Sequence, residues 1–278
     1  MRTTIAVSGG LRLRWFLPCL LIGAWLGAPG SVSAQSADPV APFLGTWSGV
    51  FTTQDHEYWG AEDLMCFPGC SLELYKNVAA LLRDPKNKDR RFNELMGPAV
   101  AAEDKRFAAI LTPVGKRIQA ENSAETDPKL HCQPYGYARE VVNPLPLTIE
   151  RDGKDLLVRY EEWSQLRTIY MDGRAHPQHR TPTLLGHSVG RVENGVLIVE
   201  TTRVTPDWYS DATHAGHSGE LKGIERYTVR DNPKRLEAEL TLEDPVTLTK
   251  PYVLTKTWLF TPDVKLLQDS CSQFPGKY

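Results

Sequence analysis

Alternation of apolar and polar positions dominates the second half of the chain. From Pro144 onward the runs PLTIER, DLLVRYEEW, QLRTIYM, HSVGRVE, VLIVETTR, GIERYTVRD, RLEAELTLED, YVLTKTWLF and KLLQD read as strands. Leu236, Ala238, Leu240 and Leu242 share one face of their run, and Glu237, Glu239, Thr241 and Glu243 share the other. Turn signals at Asp152-Gly153, Asp172-Gly173 and Asn194-Gly195, with short links at Asp231-Asn232-Pro233 and Asp244-Pro245, predict an antiparallel meander. An earlier alternating run, FLGTWSGVFTT over Phe43–Thr53, predicts one more strand. Residues 57–130 change period: Val78, Leu81, Leu82 and again Phe107, Ile110, Leu111 recur at helical spacing, with breaks at Pro85, Gly97-Pro98 and Pro113. The pattern predicts a mainly β fold. About nine strands form an antiparallel up-and-down barrel, with a helical insertion at 57–130 after the first strand, covering one end or side.

The central hairpin sets a register. With Asn194-Gly195 as the turn, Glu193 faces Val196, Arg191 faces Ile198, Val189 faces Glu200 and His187 faces Thr202. His187, Arg191 and Glu200 thus share a face with valine and isoleucine, a mixture expected of a cavity wall, and are placed on the lumen side. The two long loops flanking the hairpin, 172–185 and 204–222, are expected to emerge together at the end opposite its turn. That would gather His176, His179, His187, His214 and His217 with Asp172, Arg174 and Glu220 at one mouth. Trp208 and Tyr209 would form an aromatic lid there.

Composition then narrows the setting. Residues 1–34 have a basic start (Arg2, Arg12, Arg14), an apolar run from Trp15 to Ala28 broken at Pro18, and a small-residue end at Ser31-Val32-Ser33-Ala34. This predicts a secretory signal peptide and a periplasmic or secreted protein, with residues 35–278 as one barrel domain. No later apolar run has spanning length. The mature charge of about −5 argues against nucleic acid and for a small-molecule partner. Cys66, Cys70, Cys132 and Cys271 remain after cleavage, an even number for an oxidising compartment. The expected pairs are Cys66 with Cys70 and Cys132 with Cys271; a four-cysteine zinc site is the rival reading.

Several motifs carry a resemblance. MDGRAHP (Met171–Pro177), GHSVGRVENGVLIVETT (Gly186–Thr202), WYSDATHAGHSGELKGIERY (Trp208–Tyr227), and the short EDP and KPY resemble a family of exported bacterial proteins of unsettled function. Its members carry MDGRxHP and GHSxGxWxGxxLxVxT. The likeness covers roughly Leu111–Cys271 and implies a lipocalin-like barrel; Gly45-x-Trp47 resembles the first-strand tripeptide of such barrels. Two positions depart from the pattern: Val192 replaces a tryptophan, and Gly219 separates His217-Ser218 from Glu220.

The chemistry expected is acid and base catalysis of a lyase, hydratase or isomerase type on a small, partly apolar molecule. His187 beside Glu200 would be the base, Arg191 or Arg174 an oxyanion stabiliser, and Tyr170 or His176 a proton donor. Asp172, Arg174, Trp208, Tyr209 and His217 would hold the ligand. No cofactor is expected. Zinc at His214 and His217 with Glu220 or Asp211 is the weaker reading of those histidines. No Gly-x-Ser-x-Gly, phosphate loop or dinucleotide fingerprint is present. The alternative is a non-catalytic carrier or sensor with a small apolar ligand in the barrel.

Overall fold

The structure is a computed structural model that describes residues 38–49, 80–81, 84–87, 90, 101, 104–143, 145–210, 213–232 and 234–268. The expected signal segment, most of the helical insertion, and Cys66, Cys70 and Cys271 lie outside the described residues. Nine strands close a barrel: β1 (Gly45–Gly49), β2 (Leu147–Asp152), β3 (Asp155–Tyr160), β4 (Leu166–Tyr170), β5 (His187–Glu193), β6 (Val196–Thr202), β9 (Lys222–Arg230), β10 (Arg235–Glu243) and β11 (Tyr252–Phe260). A small ribbon of β7 (Asp207–Trp208) and β8 (Gly216–His217) stands apart. Around the ring the order is β1, β11, β10, β9, β6, β5, β4, β3, β2.

The meander is antiparallel except at one seam, where β4 and β5 run parallel through Ile169–Ser188 and Tyr170–Val189. Directions cannot alternate throughout a closed ring of nine, so one parallel pair is obligatory. No strand forms over the described residues 265–268 of KLLQD: the ring is already closed, and Leu267 is exposed with its N–H on Glu161 instead. The central turn is as expected, with Asn194 at φ 51° and Gly195 at φ 76° and the seven pairs from Glu193–Val196 to His187–Thr202 in register.

Both ends are closed by packing. Trp47 is fully buried at the end carrying the β5–β6 and β9–β10 turns, with its Nε1–H on the Phe43 carbonyl (2.9 Å) and Phe260 edge-on to its ring (5.1 Å). It joins Leu156, Leu197, Val199, Leu236 and Trp258 in one apolar layer. At the other end Phe107, Ile110 and Leu111 pack on Leu240, Leu242 and Tyr252, so the helical spacing read from those three residues is a core-facing stripe. Beside the helical residues 104–110, two further helices support this cap. In α1 (Pro113–Glu121), Thr112 caps the N-terminus by accepting from Gly115 N–H, so Pro113 starts a helix where it needs no donor. The other, α2 (Tyr137–Glu140), is one buried turn. Each fully buried leucine in these layers contributes about 1.5–3 kcal/mol.

Candidate active site

Strand parity is set from the barrel interior outward. On β5 and β6 the inward residues are Ser188, Gly190, Leu197, Val199 and Thr201, all buried. His187, Arg191 and Glu200 therefore point outward, which corrects their expected placement on the lumen. Parity alone was ambiguous because β6 has branched aliphatics on both faces, and Ile198 on the outer one is 4 % exposed.

The interior instead holds a saturated ion pair between the two apolar layers. Arg167 donates from Nη2 to Glu225 Oε1 (2.6 Å), from Nη1 to Glu225 Oε2 (2.9 Å) and Tyr160 (3.3 Å), from Nη2 to Thr201 (2.7 Å) and from Nε to Ser188 (2.9 Å). Glu225 also accepts from Tyr137 and Tyr227, each at 2.6 Å. Burial alone would push the Glu225 carboxyl up. The Arg167 charge and the hydrogen bonds of Arg167, Tyr137 and Tyr227 together hold it below its ordinary value. Burial raises Tyr160 to about 12, so it remains a neutral phenol. With every guanidinium N–H engaged, the network braces β3, β4, β5, β6, β9 and α2.

The titratable side chains expected at the site meet on the outside of the wall, at the β4–β5 seam. From Tyr170 the chain runs toward the β2–β3 turn, where Asp172 accepts from Lys154 (2.6 Å), then doubles back over the wall to His187. Asp172 grips Arg174 from Nε (2.8 Å) and Nη2 (2.7 Å), and these bonds hold its carboxyl well below the usual range. That grip sets Arg174 over the Tyr170 ring (3.9 Å), and Tyr170 stacks on His187 (centroids 5.0 Å). His176 meets His187 edge-on, with their Nδ1 atoms 2.9 Å apart in a hydrogen bond. A cavity of about 170 Å³ adjoins them, lined by Thr168, Tyr170, Arg180, Leu185 and His187 among others.

Both imidazoles titrate below their ordinary 6.5. Burial is the main cause at each; at His187 the charges of His176, Arg180 and Arg174 add to it, while at His176 the nearby Glu200 opposes it. The pair is therefore neutral at neutral pH. In that state the shared bond needs one Nδ1–H and one Nδ1 lone pair. Whichever ring donates, it keeps a basic Nε2, while the other ring keeps an acidic Nε2–H.

Four expected site residues thus converge: Tyr170, Arg174, His176 and His187, with Asp172 behind them. Glu200 stays near, tied to Lys222 (3.2 Å) and Arg191 (3.3 Å); Arg191 is half exposed and also bound to Glu193, so it faces solvent and not a reacting oxygen. The two loops meet only in part: Thr183 bridges Val204 and Arg203 Nε–H donates to the Pro177 carbonyl, while Asp172 and Arg174 lie at the β2–β3 turn end. Trp208, Tyr209, His214 and His217 belong to the helix-capped end. There Trp208 meets His214 (5.2 Å), Tyr209 meets His217 (5.5 Å), and Tyr209 donates to Asp244 (3.3 Å). His217 Nδ1–H reaches the Ser218 carbonyl (3.0 Å), and its Nε2 is buried with no hydrogen-bond partner. Asp211 is outside the described residues, and among those described no three His, Cys, Asp or Glu side chains are placed to hold a metal. Cys132 is disulfide-bonded, its partner lying outside the described residues.

Arg167, Glu225, Tyr137, Tyr160 and Tyr227 were not singled out from sequence. The signal was there in parity: Glu225 shares a face of β9 with Gly223, Tyr227 and Val229, opposite Lys222, Arg226 and Arg230, whereas Arg167 shares its face of β4 only with Ile169. Comparison with protein-family models, with curated proteins and with solved structures returned no match. No described helix is long and apolar enough to cross a membrane.

Proposed function

We propose that this is an exported enzyme that moves protons on a small molecule, a lyase, hydratase or isomerase, at the outer wall site of Tyr170, His176 and His187. The observation that carries the reading is the Nδ1–Nδ1 hydrogen bond beside a cavity, which gives a neutral acid and a neutral base in one unit. His187 lines the cavity and His176 stands behind it, toward Glu200. A substrate C–H or O–H bond breaks with its proton passing to His187 Nε2. The His187 Nδ1 proton passes to His176 Nδ1, and the His176 Nε2 proton leaves to water. The reverse sequence returns a proton elsewhere on the substrate, so the pair ends neutral. Glu200 favours the transient charge on His176, and Tyr170 under the Arg174 cation fixes the plane of His187.

The motifs support the same reading, because MDGRAHP supplies Asp172, Arg174 and His176 and GHSVG supplies His187. We propose that this convergence is what the family resemblance encodes. The carrier alternative loses support, since the described interior positions are filled by two apolar layers and the Arg167–Glu225 network. The test is incubation of the protein with a small-metabolite extract in D₂O, reading deuterium gained on carbon by mass spectrometry. The wild type should label particular metabolites and His187→Ala should not, with both variants equally folded. Indistinguishable labelling by the two proteins would refute the reading. Labelling should also fall as pH drops below 6.5, as the lowered histidines protonate and the neutral pair is lost.

A further inference from the structure

We infer that the wall cavity takes a small organic carboxylate, anchored by Arg180 so that the carbon skeleton lies against the His187 imidazole. Every other arginine around the site is committed. Arg174 is bound to Asp172, Arg167 to Glu225, Arg191 to Glu193 and Glu200, and Arg203 to the Pro177 carbonyl. Arg180 lines the cavity and has no hydrogen bond or ion pair among the described residues. No aspartate or glutamate lines the same space, while Thr168, Tyr170 and His187 do, beside Leu166 and Leu185. A wall with a guanidinium, hydroxyl groups and no carboxylate selects an anion; a planar guanidinium fork matches a carboxylate with two parallel hydrogen bonds. The leucines suit a short carbon skeleton.

Size limits the ligand. A cavity of about 150 Å³ holds a benzene-sized molecule, so the roughly equal volume here admits an acid of about six to nine non-hydrogen atoms, with its charge toward the open side.

This rests on the acid–base reading of the same site, and the experiment separates the two. The full mature chain is titrated with benzoate, benzamide and inorganic phosphate while NMR follows the His187 Cε1–H resonance. Benzoate should shift it saturably. Arg180→Gln should weaken that binding by about tenfold or more, as should the uncharged amide. Equal binding of benzamide, unchanged affinity in Arg180→Gln, or no benzoate shift at His187 would each overturn the assignment. Phosphate binding as tight as benzoate would overturn the carboxylate in favour of charge alone. Should deuterium labelling persist while benzoate fails, the catalytic reading stands without the anchor; loss of labelling alone would leave the anchor standing.

Discussion

Replacing Glu225 by Gln tests whether the saturated ion pair is what braces the barrel interior. Glu225 receives two hydrogen bonds from Arg167 and one each from Tyr137 and Tyr227, all at 2.9 Å or less, and is 1 % exposed. The amide leaves Arg167 as an unpaired buried cation and, in either orientation, sets an NH₂ group against both the guanidinium and a phenol that had been donating there. Breaking one partner of such a pair costs about 3–5 kcal/mol. For a domain of this size the urea slope is about 3 kcal/mol per molar, so the midpoint should fall by roughly 1–2 M. The assay is urea unfolding followed by tryptophan fluorescence, because Trp47 and Trp258 are both fully buried.

The same experiment at acid pH adds a sign. The Glu225 carboxyl is held below its ordinary 4.5 in the folded protein, so its contribution is complete above 4.5 and is lost as pH falls through the lower folded value. The wild type should lose stability across that window more steeply than Glu225→Gln. The double variant Arg167→Met, Glu225→Leu should be no worse than the single, since an apolar pair leaves no buried charge. A Glu225→Gln protein within about 1 kcal/mol of wild type, or a double variant equal to the sum of its singles, would refute the argument.

Two more predictions follow from the interior. A Cβ at Gly223 would fall within the van der Waals envelope of the Tyr137 phenol, so Gly223→Ala should displace that ring and its bond to Glu225. We expect a loss of roughly 2–3 kcal/mol, read as a Tm lower by about 5–10 °C; an unchanged Tm would contradict the packing. Lys256 is buried on β11, and burial lowers its ammonium to about 7 from 10.5. The unfolded chain then binds more protons between those values, so wild-type stability should rise with pH there, at up to about 1.4 kcal/mol per unit. Lys256→Met should flatten that slope in chemical unfolding measured across the range.

Period-two alternation, turn dipeptides and their spacing are local properties, and they determined the strands, the Asn194-Gly195 hairpin with its register, and the barrel class. Helical spacing likewise marked Phe107, Ile110 and Leu111 as one buried stripe. Tyr170, Arg174, His176 and His187 were legible as candidate site residues because polar, titratable side chains crowd a short stretch of sequence. What alternation cannot supply is which face turns inward. Leu197 and Val199 oppose Ile198 and Val196 on β6, and Arg167 sits on a face of β4 no more apolar than its reverse. That choice rests on interactions distant in sequence. Tyr137 from α2 and Arg167 from β4 satisfy Glu225 on β9, while loop 172–185 folds back to cover His187 from outside. The parallel seam has the same origin: closing a ring of nine strands forces one parallel pair, a requirement no single strand expresses. Only the closed barrel therefore decided that the histidines would meet on its wall and the ion pair in its interior.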